Sequence, residues 1–229
     1  MKIGGLQKVS LIDYPGAICA IVFTQGCNFK CGYCHNPELV EPKLFSSCLD
    51  EKKILSFLAQ RVGKLDAVSI TGGEPTIQKD LIGFVKKIKK MGFAIKLDTN
   101  GSQPQVIKEL LQARLLDFIA MDVKAPPGKY ESVTMAPVNT LAIQESIGLI
   151  LKSKIPHEFR TTVVESQLNG DDIIEISKMI SGARSYVLQK FIPTKALNKK
   201  YLKEKSLSDD ELEKIKKQLG KNISSVTVR

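Results

Sequence analysis

The stretch Ile18-Cys19-Ala20-Ile21-Val22-Phe23-Thr24-Gln25-Gly26-Cys27-Asn28-Phe29-Lys30-Cys31-Gly32-Tyr33-Cys34 decides the fold. It opens as an apolar, β-branched run over residues 18–24 with the composition of a strand. Three cysteines follow within eight residues, with gaps of three and two, on the loop that leaves that strand. No fourth cysteine joins them at ligand spacing. A structural zinc site or an electron-transfer ferredoxin cluster closes with four protein ligands, whereas three thiolates leave one metal position for something else. Gly26 and Gly32 relieve the crowding of so tight a loop. Zinc held by the same thiolates is the competing assignment, with His35 offered as fourth ligand. Its adjacency to Cys34 makes His35 an awkward partner for a neighbour's metal.

Outward from that loop, short β-branched runs alternate with longer amphipathic segments, the pattern of βα units around a parallel sheet. Strands are expected at residues 18–24, 67–71, 93–98, 118–122, 159–164 and 186–191, and helices at 51–62, 78–91, 104–113, 138–152 and 171–180. Asp50 suits an N-cap of the first helix, Gly92 follows the lysine-rich end of the second, and Pro104 suits the first turn of the third. A further amphipathic stretch runs over 208–219, with Ser208 as cap and Glu211 in capping-box position, and 223–228 reads as a last strand. Six units fall short of the eight that close a barrel, so the expected fold is α/β, a partial (βα)6 TIM-like barrel open on one side. That domain is expected to occupy residues 1–195, with residues 196–229 a charged helical extension packed on it.

The residues with chemical character fall at the C-terminal ends of the strands: the cysteine loop after the first, Gly72-Gly73-Glu74-Pro75 after the second, Asp98-Thr99-Asn100 after the third and Asp122-Val123-Lys124 after the fourth. Those ends converge on one face of a barrel, which is where barrel active sites lie. Two glycines bring backbone close to a ligand, and the Glu74 carboxylate is suited to accept from an ammonium group. By itself Asp98-Thr99-Asn100-Gly101 reads as a strand ending in an Asn-Gly turn. Lys124 sits where a lysine faces the shared pocket and meets a carboxylate or phosphate.

Composition narrows the setting. At 229 residues, 43% apolar and 25% charged, the chain suits a folded soluble domain. No apolar stretch reaches the roughly 18 residues that span a bilayer, and the N-terminus lacks the pattern of a signal peptide. A cytoplasmic protein without a membrane partner is expected. Five cysteines, three of them crowded together, read as thiolates kept reduced for metal rather than as a disulfide framework. Cys19 lies in an apolar run and packs as a small hydrophobe, while Cys48 has no ligand-spaced neighbour and no assigned role. The net charge of +10 comes from 34 Lys and Arg against 24 Asp and Glu. Its lysines (Lys86, Lys87, Lys89, Lys90; Lys199, Lys200, Lys203, Lys205; Lys214, Lys216, Lys217, Lys221) lack the Arg-rich, aromatic-interleaved pattern of a nucleic-acid platform. Solvated faces are expected, with nucleic acid not a partner.

The cysteine triplet with the aromatic Tyr33 before its last member, followed after the next strand by Gly-Gly-Glu-Pro, resembles the radical S-adenosylmethionine (SAM) superfamily. Within it the chain is similar to the activases of glycyl radical enzymes, and most like the anaerobic ribonucleoside-triphosphate reductase activating proteins. The matching segments are residues 4–16, 25–29, 33–39, 121–126 and 159–163, and the resemblance covers roughly residues 1–195. It implies a radical SAM core in which Cys27, Cys31 and Cys34 hold a [4Fe–4S] cluster whose fourth iron binds the amino and carboxylate groups of SAM. It further implies reductive cleavage of SAM and a 5′-deoxyadenosyl radical that takes a hydrogen atom from a glycine Cα of a partner reductase.

Residue by residue, the same resemblance implies that Glu74 with the Gly72 and Gly73 backbone holds the methionine amino group, and that Tyr33 presents backbone to the adenine. Asp98, Thr99 and Asp122 match positions where related activases hold a monovalent cation, and Asn100, Lys124 and Arg160 complete the contacts to ribose and carboxylate. Lys124 is counted with the cysteines as catalytic. Gln189 stands where some relatives carry a histidine. Implied partners are an anaerobic ribonucleoside-triphosphate reductase and a low-potential donor such as flavodoxin or ferredoxin. A radical SAM enzyme acting on a small molecule, similar to carboxydeazaguanine synthase, or an activase of another glycyl radical enzyme, is the alternative.

Overall fold

The computed structural model describes residues 1–220 and 222–229, so Lys221 of the basic tail lies outside them. Among the described residues eight strands form one sheet in chain order: β1 (Ile3–Ser10), β2 (Cys19–Thr24), β3 (Ala67–Gly72), β4 (Ala94–Thr99), β5 (Phe118–Asp122), β6 (His157–Val163), β7 (Tyr186–Lys190) and β8 (Val226–Val228). From β2 onward every pair is parallel. The helices are α1 (Pro37–Val40), α2 (Glu51–Ala59), α3 (Leu81–Lys89), α4 (Pro104–Gln112), α5 (Tyr130–Thr134), α6 (Thr140–Lys152), α7 (Gly170–Met179) and α8 (Asp209–Leu219). Strands β2 to β7 are each followed by a helix, which makes six βα units with β1 and β8 as the two sheet edges. This is the expected open, partial barrel.

One strand escaped the sequence. β1 pairs antiparallel with β2 and carries two register shifts; its Gly4-Gly5 and the polar Gln7-Lys8 break the alternation by which a strand is read. Helix starts follow local hydrogen bonding. α3 begins at Leu81 rather than residue 78 because Pro75–Ile77 forms a 3-10 turn just before it. α6 begins at Thr140 because the Asn139 side chain accepts from Leu141 N and Ala142 N. Asp50 accepts from Lys52 N at the start of α2, and Ser208 with Glu211 forms the capping box of α8.

The two faces of the sheet differ. Under the helices, Val22, Ile70, Leu97, Ile119 and Phe159 are fully buried in the main core. On the concave face a small cluster of Cys19, Ile21 and Ala67 closes the bottom, flanked by Tyr14, Ala17, Phe23 and Ala94, and Cys19 is the inert packed thiol expected of it. Above this plug the concave face turns ionic, with Lys96 and Glu158 only 3% and 4% exposed. Residues beyond 196 supply α8, which packs on α7 through Leu212 and Ile215, and β8, which extends the sheet beside β7.

Candidate active site

The cysteine loop is held from four directions. Gly26 N donates to Leu39 O of α1 at 2.8 Å, Lys30 N to Thr134 O of α5 at 2.8 Å, Glu74 N to Gly26 O at 2.9 Å, and Asn198 N to Gly32 O at 2.9 Å. Gly73 lies so close to this loop that a Cβ would run into the Gly26 carbonyl, so the glycine pair is what lets the β3 loop lie flat against it. Gly72 is held at φ +115°, a region that L side chains rarely adopt.

The three cysteines, Tyr33, Gly72, Gly73, Glu74, Asp98, Thr99, Asn100, Asp122, Lys124, Arg160 and Gln189 all line one cavity of about 350 Å³ at the C-terminal ends of the strands. Every residue singled out from the sequence is thus brought to one place. All five cysteines are free thiols. Burial pushes the Cys27 thiol up to about 12, reinforced by the neighbouring Glu74 carboxylate, and burial likewise raises Cys31 and Cys34. Bare thiols here are protonated, and metal binding would release their protons.

Glu74 is 1% exposed. Its Oε1 accepts from Thr76 N at 3.0 Å, Thr76 Oγ1 at 2.5 Å and Thr99 Oγ1 at 2.7 Å, and its Oε2 accepts from Asn100 N at 2.6 Å. One carboxylate therefore ties the β3 loop to the end of β4, and of its roughly four lone-pair positions only one on Oε2 is left for a ligand. Burial nevertheless lifts its carboxyl above the usual range. Asn100 Nδ2 donates to Asn28 Oδ1 at 2.9 Å, which fixes the side of the cavity next to Cys27.

Opposite stands an ion ladder. Lys96 Nζ meets Asp98 Oδ1 at 2.6 Å, Arg160 NH1 meets Asp98 Oδ2 at 3.5 Å, Arg160 Nε meets Asp122 Oδ1 at 2.7 Å, and Lys124 Nζ meets Asp122 Oδ2 at 2.9 Å. Below them Glu158 lies 3.8 Å from Arg160 and 3.6 Å from Arg229. Burial disfavours a charged Asp122, but Arg160 and Lys124 outweigh it and hold the carboxyl well below its usual range. Lys124 is likewise held firmly protonated, its desolvation outweighed by Asp122. All four carboxylate oxygens of Asp98 and Asp122 are met by the chain's own cations, and Thr99 Oγ1 is turned to Glu74. A monovalent cation at these three residues would compete with Lys96, Lys124 and Arg160.

Sequence reasoning missed several contributors. Thr76 anchors Glu74, and Thr162 and Lys190 line the cavity. The strand period of two could have found Lys96, Glu158 and Thr162, each two residues from a residue already singled out on the same face. His35 is not drawn toward the thiols: its Nε2 donates to Ile192 O at 2.9 Å and its ring stacks on Phe191 at 5.4 Å. Cys48 is exposed, donates to Gln25 Oε1 at 3.3 Å and does not line the cavity.

The cavity's donors fit the group the sequence points to. Among the described residues no three His, Cys, Asp or Glu side chains converge as the ligands of a single metal ion do, whereas three thiols share a cavity wall. The Tyr33 hydroxyl is buried without a hydrogen-bond partner. Fixed carboxylates, two firmly charged cations and close-lying glycine backbone match an amino acid joined to a nucleoside.

Comparison with known proteins places this geometry. The sequence profile of the Radical SAM superfamily matches residues 21–180. A Methanocaldococcus jannaschii protein named as a glycyl-radical enzyme activating enzyme is 34% identical, over 99% of this chain and 95% of its own. The pyruvate formate-lyase-activating enzyme of Clostridium pasteurianum is 28% identical, over 86% of this chain and 84% of its own. Among solved structures, Streptococcus suis SuiB bound to its precursor peptide SuiA superposes with a TM-score of 0.70 at 16% identity, covering 90% of this chain. The chain spans 47% of that protein.

Proposed function

We propose a specific task for this chain, which belongs to the radical SAM superfamily: it is the activase that places a radical on a glycine of a partner enzyme, an anaerobic ribonucleoside-triphosphate reductase. The observation that carries the activase reading is the 34% identity along nearly the whole length of both chains to a relative of that name. The choice of reductase rests on the resemblance of residues 4–16, 25–29, 33–39, 121–126 and 159–163 to the activating proteins of such reductases. The cytoplasm is its proposed place of action, and no helix among the described residues is long and apolar enough to cross a membrane.

In this reading Cys27, Cys31 and Cys34 would hold a [4Fe–4S] cluster, and the cavity they line would take SAM. When bound, the pair supplies a 5′-deoxyadenosyl radical able to take a hydrogen atom from a glycine Cα. The chain's own residues orient and protect. The Gly73 backbone and the remaining lone pair of Glu74 hold the amino group of SAM. Lys124 faces its carboxylate, and Asn100, Arg160 and Gln189 are the polar contacts toward carboxylate and ribose. Asp122 holds Lys124 and Arg160, and Asp98, itself paired with Lys96, meets Arg160 as well, so little reorganisation accompanies binding. The open side of the partial barrel admits the glycine-bearing segment, and a filled cavity excludes water from the radical.

Anaerobic reconstitution followed by iron and sulfide analysis tests this. About four irons per chain are expected, with methionine and 5′-deoxyadenosine formed on reduction. Cys27→Ala, Cys31→Ala or Cys34→Ala abolishes both, and Cys48→Ala changes neither. One zinc per chain and no SAM cleavage would refute it.

A further inference from the structure

The Tyr33 side chain is 5% exposed, and its hydroxyl has no hydrogen-bond partner among the described residues. Buried hydroxyls are nearly always paired, so an orphan asks for an acceptor that another state of the site supplies. The ring has little freedom to find one elsewhere. Cys34 N donates to Cys31 O at 3.0 Å, which closes a turn with Tyr33 as its third residue. Phe191 and Tyr201 meet the ring edge-on at centroid distances of 6.4 and 6.3 Å. The Tyr201 ring also lies so close on Gly32 that any side chain there would run into it. Tyr33 is thereby locked against its own loop, on the lining of the cavity.

The ionisable groups that bear on the hydroxyl are Cys31, Lys124 and Asp122, with Cys31 foremost. Lys124 Nζ lies 5.9 Å from the ring centroid and is a donor only. Asp122 has one oxygen on Arg160 Nε at 2.7 Å and the other on Lys124 Nζ at 2.9 Å. Cys31 remains. The other two thiols are already served by the main chain: Phe29 N donates to Cys27 Sγ at 3.4 Å, and the Asn36 N–H bears on Cys34. For Cys31, among the described residues, the hydrogen-bonding group so placed is the Tyr33 hydroxyl. A neutral thiol is a weak acceptor, whereas a metal-bound thiolate is a charged and stronger one.

We infer that the Tyr33 hydroxyl donates a hydrogen bond to the Cys31 sulfur when that sulfur is bound to iron, and so sets how readily the site accepts an electron. The inference rests on the proposed function, which puts a cluster on these thiols. It gives the Tyr33 side chain a task separate from the backbone contact to adenine expected of this residue. Reduction adds negative charge in which the ligand sulfurs share, so an O–H aimed at one of them stabilises the reduced form more than the oxidised one. The proton stays on the tyrosine oxygen throughout. Tyr33 is in this respect a positioning residue, acting through Cys31.

Tyr33→Phe removes the oxygen and keeps the ring. It is compared, in the reconstituted full-length chain, with wild type and with Tyr201→Phe, which deletes the neighbouring hydroxyl that accepts from Gln167 Nε2 at 2.7 Å. Redox titration followed by electron paramagnetic resonance, without SAM, reads the midpoint potential of each. Tyr33→Phe should keep the wild-type iron content and SAM affinity. Its midpoint should fall by the equivalent of about tenfold in the reduction equilibrium, about 59 mV for one electron. Fluorotyrosine incorporated at position 33, a stronger donor of nearly the same shape, should raise the midpoint, and it decides the matter where Tyr33→Phe fails to hold iron. Tyr201→Phe should leave the midpoint unchanged. An unaltered midpoint in the Tyr33 variants, with or without a loss of SAM affinity, or an equal fall in Tyr201→Phe, would overturn the inference. Failure of wild type to take up iron would instead overturn the proposed function, and this inference with it.

Discussion

At the scale of single residues, the site depends on pairs whose members are useless alone. Asp122 is the clearest, since Arg160 and Lys124 both lean on it at 2.7 and 2.9 Å and all three are largely buried. Asp122→Asn keeps the shape and leaves two cations without their counter-charge, a change that costs about 3–5 kcal/mol in buried pairs. A lowered thermal midpoint should report it. The pH sign follows from the folded carboxyl lying below its unfolded value of about 3.9. Its contribution is complete above that value and is lost as pH falls, so the gap between wild type and variant should narrow on acidification from pH 5 to 3. Gly73→Ala tests backbone approach instead. Its Cβ meets the Gly26 carbonyl, so the β3 loop must lift from the cysteine loop, and SAM affinity should fall by about tenfold or more even where the fold survives. Calorimetric titration with SAM measures this.

At the scale of elements, capping chemistry does local work and leaves the site alone. Ser208→Ala removes the bond that Ser208 Oγ accepts from Glu211 N at the start of α8, while the backbone Ser208 N still donates to the Glu211 carboxylate; it should cost about 1 kcal/mol of stability and leave SAM affinity unchanged, as paired melting and titration would show. Elements were legible where one local rule dominated. The βα alternation is written in uninterrupted β-branched runs, and the caps at Asp50 and Ser208 bonded as expected. β1 was illegible because its glycines and register shifts erase the period of two. α1 and α5 are a single turn each, too short to show helical periodicity, yet each anchors the cysteine loop. Most of the candidate site was legible as a set of residues because they stand at strand ends or on the loops that leave them, and the topology gathers strand ends. What each residue bonds to was not legible: that Thr99 and Asn100 converge on Glu74, or that Arg160 reaches both Asp98 and Asp122, arises from groups meeting across strands.

At the scale of the whole molecule, the open sheet gathers the ends of its parallel strands around one cavity. Its cavity gathers thiols, glycine backbone and an ion ladder, and residues 191–205 brace the cysteine loop through Asn198 and Tyr201. The central claim is that this chain makes a radical on another protein. Electron paramagnetic resonance of a mixture of the reduced, cluster-loaded chain, SAM and the same organism's anaerobic ribonucleoside-triphosphate reductase tests it most directly. The expected result is a glycyl-radical doublet on the reductase that disappears when Cys31→Ala replaces the wild-type chain. SAM cleavage without any such doublet, accompanied by turnover of a small molecule, would contradict it.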